Sequence, residues 1–400
     1  MASPQAAKRR LLIFEPDPEG HSLEWLQHLI DHAGEDTELI VLVPEKLRGA
    51  LDANIPACAR ARVQILALGA LEQRLCLQRP LPISAFARWW VMRRYLSSTR
   101  AHSGFFLTID LQSLPLALGL RLGDCRVSGI LFRPSVHYSA IGPYRPSRAE
   151  RRRDRQKELL YRRMLDNPTL ERVLSLDPFF PDYARAHYPR GDKVSALPDP
   201  THPAVDLAPP VINDFPPANR IGFLLFGYIA ERKGPLVVLE ALSLLPLQIA
   251  RRVAVLFAGR IDPALQEELK RRLRALETTQ PELWLRIDNR RLDSSELAGL
   301  VDRSDVVLAP YQRFVGSSGV LLWAARAGRP VLAQAFGLIG KLTREHRLGI
   351  DVDADDAAQL AEQIVHMVER GPSACFDRAA AARFAAAQTP QRFASLVLSV

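Results

Sequence analysis

The residue types best suited to chemistry fall in two stretches of the second half of the chain. FGYIAERKG sets Arg232 and Lys233 side by side just past an apolar run, Ile221 to Phe226, and just before a helix. Two adjacent cations at the carboxyl end of a strand suit a diphosphate. Farther on, APYQRFVGSSGVLLW sets Gly316, Ser317, Ser318 and Gly319 between a strand and a helix. Small residues at a helix N-terminus leave amide N–H groups free to cradle an anion. In the first half, Gly20 follows the first strand and either offers a close backbone approach or only turns the chain. His137 follows a strand and precedes Gly142-Pro143, which suits either a functional or a structural imidazole. Asp110 ends the run FFLTID, and capping the next helix is its simplest role. Asp351, Asp353 and Asp355 form a D-x-D, but Asp355 opens a helix where carboxylates act as caps, so no metal is expected.

Alternating elements must position these groups. Lys8 to Phe14, Glu38 to Val43, Val63 to Leu68, Phe105 to Ile109 and Val127 to Phe132 read as strands, with helices at Gly20 to His32, Ser84 to Leu96 and from Ser147 onward. Short apolar strands separated by helices predict a parallel sheet covered on both faces. Between Asp199 and Arg220 six prolines interrupt the pattern, which marks a linker. After it the alternation restarts: strands at Ile221 to Phe226, Val253 to Ala258, Leu283 to Ile287, Val306 to Ala309, Pro330 to Ala333 and Ile350 to Val352, with helices between them. The reading is α/β throughout, two doubly wound Rossmann-like domains facing a cleft, with ligands at the carboxyl ends of the strands. The domains divide as 1–200, a linker 201–220, 221–378, and a helical segment 379–400 that crosses back.

Composition narrows the class. A chain of 400 residues with 48% hydrophobic and 24% charged residues is folded in bulk. Cys58, Cys76, Cys125 and Cys375 are scattered, which points to neither a disulfide framework nor a thiolate metal site and fits a reducing cytoplasm. No segment is apolar for long enough to span a bilayer. The strand-to-helix turn EPDPEGHSL lacks the spaced glycines of a dinucleotide site, which disfavours a dehydrogenase, and no cofactor is expected. Of the net charge of +9, a local +6 lies between Arg145 and Arg163, nine basic residues against three acidic ones. Such a run is either a solvated helix face or a footprint for anionic lipid or nucleic acid. Arg88, Trp89, Trp90, Arg93, Arg94 and Tyr95 pose the same choice between core and membrane surface.

The succession FGYIAERKG, VAVLFAGRID, SSELAGLVDRSDVVLAPY, the Gly-Ser loop and AARAGRPVLA resembles the donor domain of the retaining glycosyltransferases of family 4, which have the GT-B fold. The resemblance runs from Ile221 to about Arg370; in the first half it rests on Gly20 and on SVHY with His137. It implies metal-independent sugar transfer, with retention, from a nucleoside diphosphate donor of UDP or GDP type. Lys233 and Arg232 would hold the diphosphate, His137 would help to position the acceptor, and Gly20 and Gly316 to Gly319 would contact the donor. The acceptor would be a glycan, lipid or small molecule of cell-envelope or glycoconjugate synthesis, at the cytoplasmic side and in weak contact with an anionic membrane. Nucleic acid is not expected as a partner. The family's two glutamates, with seven residues between them, align with Val315 and Trp323. That departure raises the alternative of an inactive, nucleotide-binding or scaffolding protein.

Overall fold

The computed structural model describes residues 8–19, 22–56, 59–143, 146–200, 212 and 214–400. The chain forms two compact units, one of 1–137, 146–200 and 389–400, the other of 138–145 and 201–388.

Unit one runs β1 (Arg9–Phe14), α1 (Ser22–Asp31), β2 (Thr37–Val43), α2 (Glu45–Asn54), β3 (Val63–Ala67), α3 (Ala70–Cys76), α4 (Leu81–Thr99), β4 (Ser103–Phe106), α5 (Ser113–Ala117), β5 (Arg126–Leu131), α6 (Arg148–Asp166), β6 (Leu170–Ser175), α7 (Phe180–His187) and β7 (Val194–Ala196). All pairings are parallel, in the order β3-β2-β1-β4-β5-β6-β7. Side chains alternate across a strand, so one run serves two cores. Leu12, Phe14, Ile40, Leu42 and Phe106 meet Trp89, Met92 and Leu96 of α4, Leu116 of α5, Met164 of α6 and Phe180 of α7. Leu11, Ile13, Leu39, Val41 and Phe105 meet α1 and α2 on the opposite face.

Unit two runs β8 (Ile221–Phe226), α8 (Pro235–Ser243), α9 (Leu247–Ala250), β9 (Val253–Ala258), α10 (Gln266–Thr279), β10 (Trp284–Asp288), α11 (Ser294–Arg303), β11 (Val306–Ala309), α12 (Gly319–Ala327), β12 (Val331–Gln334), α13 (Gly337–Glu345), β13 (Gly349–Val352), α14 (Ala357–Arg370) and α15 (Arg378–Ala387). Its parallel sheet has the order β10-β9-β8-β11-β12-β13. Helix α15 packs on α12 within unit two. The last helix, α16 (Pro390–Leu398), belongs to unit one, where Phe393 lies 5.2 Å from Trp25 of α1.

Two α/β units with parallel, doubly wound sheets are what the strand–helix alternation implies. Several elements differ. Strand β4 ends at Phe106, because the chain bends into a short 3-10 turn at Asp110–Gln112. Asp110 caps no helix: its carboxylate accepts from the Phe132 and Arg133 amides, 3.0 and 3.3 Å away, at the end of β5. The cap of α14 is Asp356, not Asp355; its Oδ1 accepts from the Ala358 and Gln359 amides. Elements α2, α3, β6, α7 and β7 carry too few apolar residues, or are too short, to announce themselves. The Pro-rich stretch falls mostly on 201–211, and Gly20, Cys58 and Arg145 also lie outside the described residues.

Candidate active site

Each sheet reverses its winding beside its first strand, and open α/β sheets bind ligands where that happens, beyond the carboxyl ends of the strands. In unit two the reversal lies between β8 and β11, which pair directly. The loops that follow them carry the basic pair and the Gly-Ser segment.

The loop after β8 turns at Gly227 (φ +94°) and passes through a 3-10 turn, Glu231–Lys233, to Gly234 (φ +73°), the N-cap of α8. Both glycines are dictated by their backbone angles. A Cβ on Gly234 would also stand 2.2 Å from the Pro310 carbonyl, so glycine is what lets this loop touch the loop after β11. The Gln312 amide then donates to the Arg232 carbonyl at 2.8 Å.

This contact gathers the charges. Lys233 is buried; its ammonium donates to the Phe226 carbonyl and lies 5.4 Å from the Tyr311 ring centre and 5.7 Å from that of Phe226. Arg232 is exposed, its guanidinium 5.1 Å from the Phe314 ring centre and 6.0 Å from that of Tyr311. Among the described residues neither cation has a carboxylate within ion-pair distance. The Tyr311 hydroxyl lies 2.7 Å from Ser318 Oγ, and Ser318 is the N-cap of α12, accepting from the Val320 amide. Lys233, Arg232, Tyr311 and the N-terminus of α12 therefore occupy one spot. Gly316 is buried; Ser317 and Gly319 are partly exposed. A Cβ built on Gly319 meets nothing within 4 Å, so the space before this helix end is open. Cations, helix amides and dipole converge there, an arrangement chemically suited to an anion.

The two positions where the family carries carboxylates make other contacts here, Val315 through its backbone and Trp323 through its ring. The Val315 carbonyl accepts from the Leu338 amide at 3.0 Å, and the Trp323 ring stands edge-on to Phe226 at 6.3 Å.

In unit one the reversal lies between β1 and β4. A cavity of about 160 Å³ opens at their carboxyl ends, lined by Glu15, Asp17, Glu19, Ser22, Trp25, Leu107, Thr108 and Phe132. Trp25 and Phe132 stack at 5.3 Å to form one wall. Glu15 forms the floor, its oxygens accepting from the Asp17 amide at 2.9 Å and the Thr108 hydroxyl at 3.0 Å. Burial pushes its carboxyl up to about 7, against the opposing pull of those two hydrogen bonds and of Arg88. Burial likewise raises Asp110, against the Phe132 and Arg133 amides. Sequence reasoning missed Glu15, Thr108 and Tyr311; the visible signal was an acid directly after the first strand and a tyrosine two residues past the strand that precedes the Gly-Ser loop.

His137 does not line that cavity. It is buried in the 3-10 turn Ser135–Ala140, with Nε2 2.8 Å from Asp177 Oδ2 and the rings of Phe180 and Tyr183 5.5 and 5.4 Å away. Asp177 is oriented in turn by the Phe179 amide, which donates to its Oδ1. Among the described residues no group of three or more His, Cys, Asp or Glu side chains is placed to hold a metal ion.

Residues 220–370 match the family described as glycosyl transferases group 1. No curated protein matches the chain. Solved structures similar to it across its length include a glycosyltransferase from Rickettsia africae (13% identity, TM-score 0.65, 98% of this chain and 97% of that one). The sucrose-phosphate synthase of Thermosynechococcus elongatus is 17% identical, with a TM-score of 0.65 over 98% and 96%. The HepE protein of Anabaena, solved with UDP and glucose, is 14% identical, with a TM-score of 0.60 over 98% and 97%. At these identities the likeness establishes the fold: the chain has the two Rossmann-like domains of the GT-B glycosyltransferases, and unit two carries the group 1 match.

Proposed function

We propose that this protein transfers a sugar, with retention, from a nucleoside diphosphate donor of UDP or GDP type bound at unit two to an acceptor bound at unit one. The observation that carries this reading is the convergence of Lys233, Arg232 and the α12 N-terminus through Tyr311. As the bond between sugar and diphosphate breaks, negative charge grows on the leaving oxygens. The Lys233 ammonium has three donors and spends one on Phe226, which leaves N–H groups for phosphate oxygens. Arg232 and the amides from Gly316 to Gly319 add positive potential where that charge develops, without a metal. The UDP and glucose held by the Anabaena relative support a nucleotide sugar as donor.

The Glu15 cavity, with its carboxyl, hydroxyl and aromatic wall, suits a hydroxyl-bearing acceptor. His137 enters as a positioning residue, locked by Asp177 against the ring cluster. Gly20 keeps its proposed role in approaching the ligand. The arginines of α6 offer an anionic membrane, and with it a lipid-linked acceptor, a weak electrostatic contact. Incubation with UDP-, GDP- and dTDP-sugars, scored by release of the nucleotide, tests the proposal; no release from any donor, with or without acceptors, overturns it. The absence of carboxylates at Val315 and Trp323 favours one second reading, a protein that binds the nucleotide without turning it over; calorimetric binding without release would establish it.

A further inference from the structure

An independent feature of unit one concerns its surface. Of fourteen large apolar side chains exposed among the described residues, seven fall between Leu71 and Trp90. Helix α4 shows why. Ala85, Trp89, Met92 and Leu96 form its buried stripe, at the spacing of one helix face. Ile83, Phe86 and Trp90, at the same spacing on the other side, are apolar as well, yet they are bare. Leu71 and Leu75 of α3 and Leu81 at the start of α4 extend the bare surface; Leu71 is 75% exposed and Leu81 57%. A helix apolar on both faces is ordinarily covered on both.

The patch is held in shape. The Cys76 carbonyl, at the end of α3, accepts from the Ser84 hydroxyl and from Arg88 Nε, which ties α3 to α4. Its charge is of one sign. Arg74, Arg79, Arg93, Arg94 and Arg100 are exposed around it. The one acid of this stretch, Glu72, is buried and engaged by Arg94 at 2.7 Å and by the Tyr95 hydroxyl at 3.1 Å. Arg94 also lies over the Trp90 ring at 5.7 Å. Helix α6, whose exposed Arg151, Arg152, Arg153 and Arg155 carry the basic run, covers the same face of the sheet as α4.

We propose that the outer face of α3 and α4 docks on an anionic lipid surface, with Leu71, Leu81, Ile83, Phe86 and Trp90 entering the headgroup layer and the arginines meeting lipid phosphates. Tryptophan and arginine with protruding aliphatic groups form the side-chain set that settles at a bilayer interface. A second copy fits less well, because a two-fold contact would set arginines against arginines with no acid between them. Among the described residues no helix is long and apolar enough to cross a membrane, so this contact is interfacial. It rests on unit one alone and stands or falls separately from sugar transfer.

The test is co-sedimentation of the full chain with phosphatidylcholine vesicles containing phosphatidylglycerol, and with phosphatidylcholine alone. The wild type should bind the anionic vesicles, and added salt should weaken that binding without abolishing it. The variant Leu71→Ser/Leu81→Ser/Trp90→Ser, all at exposed positions, should keep its melting temperature and lose at least tenfold in partitioning. Arg74→Gln, Arg79→Gln and Arg93→Gln should each cost about fivefold. If melting shows that the triple variant is damaged, Leu71→Ser alone replaces it and should still weaken binding severalfold. Three results overturn the proposal: no binding by the wild type at low salt; undiminished binding by the apolar variant; or a dimer in sedimentation that the apolar variant dissolves while vesicles are ignored.

Discussion

Replacing Lys233 by methionine separates the two roles that the structure allows it. Methionine keeps the length and apolar stem but removes the ammonium. The structural cost is the charge-assisted hydrogen bond to the Phe226 carbonyl, about 1.5–3 kcal/mol. The two ring contacts add roughly 1 kcal/mol more. Two units with extensive cores should survive that loss, with melting lowered by several degrees. Under the proposed function the catalytic cost is larger: removing one donor from a developing oxyanion costs about 3–4 kcal/mol, a hundred- to thousandfold in rate. Initial rates of nucleotide release at saturating donor, measured well below the melting transition, should show the loss in kcat. Circular dichroism on the same samples establishes that the variant is folded. Turnover within about threefold of the wild type by a folded variant would refute the assignment and leave Lys233 as a support for the β8 loop alone. Arg232→Ala, at an exposed side chain, should leave melting unchanged and lose less activity.

Gly319→Val tests the helix end without disturbing the fold, since its Cβ meets nothing within 4 Å. Melting should stay within about 0.5 kcal/mol of the wild type, while nucleotide affinity by calorimetry should fall at least tenfold; unchanged affinity would remove the Gly-Ser loop from the site. Glu15 has a folded-state pKa raised to about 7 from 4.5, so the folded protein holds its proton more tightly than the unfolded chain does. Stability from this group is therefore full below about pH 4.5 and is lost as the pH rises to about 7, by roughly 3 kcal/mol in all. Glu15→Gln should flatten that slope in urea denaturation; an unchanged slope would mean that Glu15 is not the titrating group. Changing Arg151, Arg152, Arg153 and Arg155 of α6 to glutamine should weaken binding to anionic vesicles at low salt and leave turnover on a soluble acceptor unchanged. Equal binding would make that run a solvated face.

Most of unit two was legible because its central strands, VAVLFA and IGFLLF among them, are continuous apolar runs bounded by charged or glycine-rich turns. The basic pair and the Gly-Ser loop were legible for the same reason: each falls where such a run stops. That they meet was not, since the contact depends on Gly234 passing the Pro310 carbonyl and on the Tyr311 hydroxyl reaching Ser318, neither of which has a periodic signature. Unit one was harder. Strand β6 is partly polar, β7 at the sheet edge has only three residues, and Asp110 bonds two amides more than twenty residues away. The pair Trp89 and Trp90 shows the limit most simply. Adjacent residues on a helix point about 100° apart, so one is core and the other surface, and only the neighbouring sheet decides which.

The side chains at Val315 and Trp323 bear on what donor the proposed transferase would take. Trp323 stands against Phe226, whose carbonyl and ring both hold the Lys233 ammonium, so the tryptophan supports the group assigned to the leaving diphosphate. A carboxylate at either position would accept hydrogen bonds from sugar or ribose hydroxyls; an indole donates one and valine none. Under the proposed function, recognition at unit two would lean on charge, through Lys233, Arg232 and the α12 amides, more than on the hydroxyl pattern of the donor. Phosphate contacts of that kind are shared by all nucleotide sugars. On this reading discrimination among donor sugars is weak, and the diphosphate contributes most of the binding.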